Sequence, residues 1–376
     1  MSLYKDSISR QASGLTGPIW SPVRIDVLKK EFGDHVGIVA LAVDPTTPDT
    51  LYASTEIIKT TSLDRGFIKS TDGGVTWTDI KNGMRRSLIV LCIAIDPKVT
   101  NTVYAGTADG GLYKSINGGS SWAPMSTGMN AKGEVSHLTI NALAIDPQNT
   151  TTIYAATEAL GIYKSTNAGE SWIQLNNGLT DGKDSLTAKI SALAVAIDPT
   201  NPQIIYAATT GKGVFKSTDG GQSWTDTFLR LKKESLSIIP FAAEPGNTIS
   251  VMTLTINPKH PTTIYAGTAG SGVYKSSNGG GTWVPVNRGL GSSNTKVRIL
   301  IIDSENPDSI YGGTQRGVIR SFDGGQNWEF INFGLQLVPN LDHPYALALD
   351  SLHPHTMYVG TTLLGVYRSS NITAVE

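Results

Sequence analysis

At 376 residues, with 16% charged side chains and a formal net charge of −1, the chain has no basic stripe able to hold a phosphate backbone, which sets nucleic acid aside as a partner. Its longest apolar run, residues 88–95, falls far short of the roughly 20 residues a spanning helix needs, so no transmembrane segment is expected. The single cysteine, Cys92, excludes an intrachain disulfide and reads as a small buried hydrophobe.

In chain order, residues 1–17 read as an N-terminal extension or tag, with no basic stretch leading into an apolar one as in a signal peptide. The expected compartment is therefore either the cytoplasm or, after removal of a leader, the periplasm or the exterior. From residue 18 to residue 376 one unit recurs, and the chain aligns with itself in seven copies. Each copy opens with an apolar strand ending in Asp or Asn, at Asp44, Asp96, Asp146, Asp198, Asn257, Asp303 and Asp350. Eight residues later comes the Tyr of a second strand, at Tyr52, Tyr104, Tyr154, Tyr206, Tyr265, Tyr311 and Tyr358. Prolines such as Pro45 and Pro48 stiffen the connection between them. A third short strand, of the type seen at residues 272–276, then leads into a turn.

That turn reads Ser-x-Asp/Asn-x-Gly-x-Thr/Ser-Trp at residues 70–77, 115–122, 165–172, 217–224 and 276–283, and again at 321–328 with Asn327 in the hydroxyl position. Its acid or amide positions are Asp72, Asn117, Asn167, Asp219, Asn278, Asp323 and Asn371. Such a side chain accepts hydrogen bonds from turn amides, Gly tolerates positive φ, and Trp supplies surface to bury between layers. The opening serines are 45 to 59 residues apart, room for four short strands per copy. No segment has sustained helical periodicity. The expected fold is all-β: a seven-bladed β-propeller of four-stranded antiparallel blades, forming one domain over residues 18–376.

The seventh turn begins at Ser369, but the chain ends at Glu376, where Trp should stand. Near the other end, Trp20-Ser21-Pro22-Val23 resembles the outer strand of other copies, such as Trp283-Val284-Pro285-Val286. The N-terminal strand is therefore expected to close the last blade, giving a ring with only short, protected edges.

The turn resembles the Asp box of bacterial neuraminidase-type (BNR) repeats. Strand wording such as Ile310-Tyr311-Gly312-Gly313-Thr314 is similar to the propellers of xyloglucanase-type glycoside hydrolases and sortilin-type receptor ectodomains. In the xyloglucanase type an acid follows the Thr of such a strand in the first blade, which matches Glu56 here. Those enzymes pair two tandem propellers and carry Asp at that place, whereas this chain has one propeller and Glu. Sialidases share the box but add an Arg-Ile-Pro motif, where this chain offers only Arg24-Ile25-Asp26. The photosystem II assembly propeller, a non-catalytic scaffold, is a relative by architecture.

Regularity assigns one face of the disc to stability. The boxes, the Asp-Pro loops and the recurring cations Lys69, Lys114, Lys164, Lys216, Lys275, Arg320 and Arg368 belong to it, each cation being expected to pair with a neighbouring turn carboxylate. His353 and His355 fall in an Asp-Pro loop without a third ligand, so no metal is expected, and no phosphate loop or other cofactor motif is present. Function is expected on the opposite face, where the repeat breaks down. Five residues before each landmark acid stand Val39, Leu91, Asn141, Leu193, Met252, Arg298 and Tyr345. The polar members, Asn141, Arg298 and Tyr345, are candidate ligand-binding residues, joined by Arg316, His343 and Lys212, with Lys296 beside them. Glu56 and Glu158, with Asp109 in reserve, are the candidate catalytic carboxylates if the chain is an enzyme. A long turn between Glu56 and Arg65 and an apolar connection over residues 226–248 are candidate lid or partner surfaces. Two functions follow: a monomeric binding scaffold for a protein, peptide or glycan, or a glycoside hydrolase of xyloglucanase-like or sialidase-like type. No complete catalytic motif is legible, which favours the first.

Overall fold

The computed structural model describes residues 19–23, 36–57, 65–85, 89–129, 138–179, 190–227, 249–291, 295–337, 343–353 and 355–372. The expected extension over residues 1–17, most of the turn after Glu56 and the apolar connection beyond Thr227 lie outside them. The described strands form seven four-stranded antiparallel sheets arranged as the blades of a ring. Blades 1 to 6 each run from the inner to the outer strand in chain order. In the third, these are Ile140–Ile145, Ile153–Thr157, Gly161–Ser165 and Ile173–Gln174.

Side chains of the inner two strands alternate between the two neighbouring blades, and seven hydrophobic cores fill the spaces between them. Close approach depends on small residues in the second strands. A Cβ on Gly106 would lie 2.7 Å from Ile140 Cγ2 of the next blade, and one on Gly360 would lie 2.4 Å from Ile38 Cγ2.

Each Asp box is a closed local network. In the first, Asp72 Oδ1 accepts from the Thr76 amide at 2.8 Å, while Ser70 Oγ accepts from the Gly74 amide at 2.8 Å. The box amide at Gly118 donates to the Asn101 carbonyl of the Asp-Pro loop at 2.8 Å, so boxes and loops share one face, as the regular wording implies. The landmark acids cap those loops: Asp44 Oδ1 accepts from the amides of Thr46 and Thr47. In the seventh loop His353 Nδ1 lies 2.9 Å from Asp350 Oδ2.

The recurring lysines differ from expectation in their partner. Lys69 Nζ donates to the Gly118 carbonyl at 2.8 Å, and Lys114, Lys164, Lys216 and Lys275 make the same bond to Ala168, Gly220, Gly279 and Gly324. The target is a main-chain carbonyl in the next blade's box, not a turn carboxylate. The landmark Tyr hydroxyl reaches the same oxygen, as Tyr154 does at 3.0 Å from Gly220, and the ammonium sits over the Tyr ring. Blade 6 departs from this: Arg320 donates to the Ile372 carbonyl at 2.7 Å and also pairs with the Glu329 carboxylate of its own outer strand at 2.6 Å, while the Tyr311 hydroxyl is buried without a partner.

The seam closes as expected. Residues Ser21–Val23 pair antiparallel with Val366–Ser369, through Ser21 with Arg368, Pro22 with Tyr367 and Val23 with Val366. Trp20 occupies the missing box position in detail. Its amide donates to the Phe333 carbonyl at 3.0 Å, as the Trp122 amide does to Asn82. Its indole donates to Ile331, as Trp122 does to Ile80. The Ile19 amide donates to Asn371 Oδ1 at 3.2 Å, standing for the Thr76 bond to Asp72. One Asp box is thus assembled from both ends of the described chain.

Trp20 is 2% exposed, so Trp20→Ala is expected to lower stability by about 3–5 kcal/mol in denaturant titrations, as for other buried tryptophans. Burial, with the negative charge of Asp44, pushes the Tyr52 phenol up to about 12, and burial raises Tyr104, Tyr154, Tyr206 and Tyr265 as well. The unfolded phenols ionise near pH ~10, so above that pH the unfolded state releases protons that the fold retains, and stability falls as pH rises from about 10 towards 12. Lys69, Lys114, Lys164 and Lys216, lowered by burial, oppose this in part because the fold sheds their protons first. Alkaline unfolding followed by tryptophan fluorescence should show the decline, and Tyr52→Phe should make it shallower.

Candidate functional site

The divergent face carries the second-to-third hairpins and the starts of the inner strands. Hairpin tips are tied to the next blade: the amides of Gly111, Gly161 and Gly213 donate to Leu138, Ile190 and Ile249. At blades 7 and 1 a bridge between Leu364 and Val36 continues this arrangement.

The seven positions singled out for variability share one backbone event. Every inner strand shifts register at one residue, between Ile38 and Ala40, Val90 and Cys92, Ile140 and Ala142, Ala192 and Ala194, Val251 and Thr253, Val297 and Ile299, and Pro344 and Ala346. The residues skipped are Val39, Leu91, Asn141, Leu193, Met252, Arg298 and Tyr345. A bulge on an edge strand re-aims one side chain, and here the edge strand is the innermost of each blade. Val39, Leu91, Leu193 and Met252 are only half-buried and belong to none of the interblade cores, so they turn toward the channel. The bulge is what frees this position from core packing, and it explains why the repeat tolerates Arg, Asn and Tyr there.

Two of the expected ligand residues meet. The Arg298 guanidinium lies over the Tyr345 ring of the next blade, 5.2 Å from its centroid, and Arg298 Nε is buried without a hydrogen-bond partner. Tyr345 is 38% exposed, so the pair faces solvent on the ring side. Two residues upstream, Lys296 and His343 immediately precede the same strands. The Lys296 amide donates to Gln315 Oε1 at 2.6 Å, and the His343 amide to Thr362 Oγ1 at 3.1 Å.

The other candidates sit apart. Asn141 Nδ2 donates to the Ala192 carbonyl at 2.9 Å, linking blades 3 and 4. Arg316 donates to the Leu290 carbonyl at 2.9 Å, and its guanidinium lies 4.9 Å from the Phe330 ring centroid. Lys212 lies in a hairpin turn behind Gly211, whose φ is +68°. Glu56 pairs with Gly37 and Arg65 in the first blade's ladder. Glu158 holds the equivalent place in the third blade, its amide donating to Thr139 at 3.1 Å, while Ala108 holds it in the second. Asp109 follows Ala108 at φ +62°, as Ala159 stands at +61° in the next blade, so a turn conformation common to both blades sets its place. The three acids thus line blades 1 to 3; Glu158 and Asp109 stand away from the Arg298–Tyr345 pair in blades 6 and 7, whereas Glu56 belongs to blade 1, which packs next to blade 7.

No family model matches the chain. A probable oligoxyloglucan-reducing end-specific xyloglucanase of Neosartorya fischeri is 29% identical over 148 residues, covering 37% of this chain and 17% of that protein. A GH74 enzyme structure from Niastella koreensis superposes with a TM-score of 0.65 at 18% identity, covering 94% of this chain and 54% of the other. A YCF48 structure bound to a D1 peptide superposes with a TM-score of 0.60 at 14% identity, covering 94% of this chain and 96% of the other. The chain resembles the GH74 xyloglucanase and YCF48 propellers. It spans about a sixth of the curated relative (17%) and about half of the GH74 chain (54%), while it matches the YCF48 chain almost end to end. At these identities the solved structures establish the fold. Among the described residues no helix is long and apolar enough to cross a membrane.

The geometry separates two arginines that sequence alone groups together. Arg316→Ala removes a bond to a carbonyl and a stacked guanidinium, and is expected to lower stability by about 1–3 kcal/mol. Arg298→Ala removes a contact with the Tyr345 ring and an unsatisfied buried nitrogen together, two effects of opposite sign, and is expected to change stability by less than about 0.5 kcal/mol. Parallel urea titrations of the two variants check this contrast.

Proposed function

We propose that this chain is a binding propeller whose divergent face holds a peptide or protein at the channel mouth. The observation that carries the reading is Arg298, turned out of the core by a bulge, stacked on Tyr345 of the next blade and left with a buried nitrogen unpaired. A desolvated guanidinium nitrogen without a partner is a cost to the fold, and such costs concentrate where a ligand later makes the missing bond. The YCF48 propeller solved with a D1 peptide supports the reading, since it shares this fold over nearly its whole length.

A second reading, glycoside hydrolysis, draws on the likeness to xyloglucanases. It would use Glu56 and Glu158, with Asp109 in reserve. The alternation of Glu56, Ala108 and Glu158 over three consecutive blades puts a blade between the two glutamates, which fits poorly with carboxyls ~5–10 Å apart.

Immobilised wild-type protein is expected to retain a partner that Arg298→Ala combined with Tyr345→Phe releases; equal capture by both would count against this site. In parallel, the wild type is expected to leave xyloglucan, β-glucan and sialosides intact. Hydrolysis abolished by Glu56→Gln would replace the binding reading with the enzymatic one.

A further inference from the structure

The ring of bulges describes the ligand as well as the site. Going round the mouth, it presents Val39 and Leu91, then Asn141, then Leu193 and Met252, then Arg298 and Tyr345. Asn141 is already engaged with the Ala192 carbonyl. What remains is an apolar arc and one guanidinium with a free buried donor. Next to Arg298 on one side stands Met252, half-buried and outside every interblade core; on the other stands the partly exposed Tyr345 ring. Lys296 and His343 stand immediately before the same two strands. No described carboxylate belongs to the divergent-face ends of blades 5, 6 and 7, where the hairpins read Ala269-Gly270-Ser271, Gln315-Arg316 and Thr362-Leu363-Leu364. Asp342, which precedes His343 in sequence, is the nearest acid along the chain and lies outside the described residues.

We propose that the bulge ring is a receptor for an aliphatic carboxylate: Arg298 takes the carboxylate through its free Nε–H, and the arc formed by Leu193 and Met252 covers the attached apolar group. This rests on the reading of the mouth as a binding site and narrows it to one chemistry. A peptide whose last residue is apolar and whose terminal carboxylate is free has that chemistry, and so does a free aliphatic acid. A guanidinium bonds a carboxylate in its own plane, and that bond is strengthened where water is excluded. The Tyr345 ring, its centroid 5.2 Å from the guanidinium carbon, flanks the cation and shields it on one side. Asn141 marks the limit of the apolar arc, because its side chain is spent on holding two blades together.

The test uses fluorescence anisotropy with the intact protein and a labelled hexapeptide of glycine and serine that ends in leucine. Three forms are compared: free carboxylate, C-terminal amide, and a free carboxylate with glycine in place of the final leucine. The free leucine form is expected to bind at least about tenfold more tightly than the amide, the scale of one charge-assisted bond. Arg298→Ala should erase that ratio, and Met252→Ser with Leu193→Ser should erase the preference for leucine over glycine. Arg298→Lys, which keeps the charge without the planar fork, should retain only part of the ratio, and Asp342→Asn should leave it intact. Competition with octanoate assigns the source: displacement at concentrations below those of the unlabelled peptide points to a free acid, and weaker displacement to a peptide terminus. Equal binding of carboxylate and amide, or a ratio that survives Arg298→Ala, overturns the proposal. If partner capture still depends on Arg298 while the hexapeptides are not discriminated, the binding reading stands and this inference falls. If neither depends on Arg298, both fall.

Discussion

Five consecutive blades are tied to their neighbours by one contact made over and over: a buried Tyr hydroxyl and a Lys ammonium from one blade converge on a single main-chain carbonyl in the Asp box of the next. That oxygen is exposed to both donors because the residue carrying it has positive φ, as at Gly118 (+62°) and Gly220 (+71°), which swings the carbonyl away from its own turn. The contact also bears on the spacing of the repeat. The acid that caps the Asp-Pro loop and the Tyr eight residues later keep one interval in every copy, whereas the stretch from Tyr to the cation varies, 17 residues from Tyr52 to Lys69 against 10 from Tyr104 to Lys114, because the hairpin between them can lengthen without moving either donor off its target.

Most of this device was legible in the sequence, because it repeats and each residue type is tied to a local bond that sequence spacing fixes. The Asp box and the exchange of Trp20 for the missing tryptophan could be read that way, since the chain segments 19–23 and 369–372 carry the two halves of one pattern. The partner of the lysines could not, because a main-chain carbonyl has no side-chain signature. Charge pairing with a carboxylate was the natural expectation, and the structure shows an oxygen every residue possesses.

The mouth of the channel was half legible. A position that is apolar in four copies and Asn, Arg or Tyr in three signals that something other than core packing governs it. The bulge that does so is invisible in sequence, since a single extra residue in an apolar run such as Ile140-Asn141-Ala142-Leu143 leaves composition unchanged. Arg298 and Arg316 illustrate the difference. They are equally irregular as letters and both lie over an aromatic ring, yet one is bound to a carbonyl while the other keeps a donor in reserve.

The seam shared by Ser21–Val23 and Val366–Ser369 bears on how the molecule comes into being. Six of the blades are contiguous stretches of chain, so each can pair its strands soon after it emerges from the ribosome, through contacts of short sequence separation. The last sheet must wait, since its outer strand is made more than three hundred residues before its neighbour. Until the final strand is synthesised, the first described segment has no partner and the Phe333 and Ile331 carbonyls have no tryptophan. Closure of the ring is therefore a late, long-range event: a nascent product stopped before Val366 would lack the strand that receives Ser21–Val23, and the core between blades 6 and 7 would miss Tyr367 and Ile372, an unfinished joint for chaperones and proteases to find.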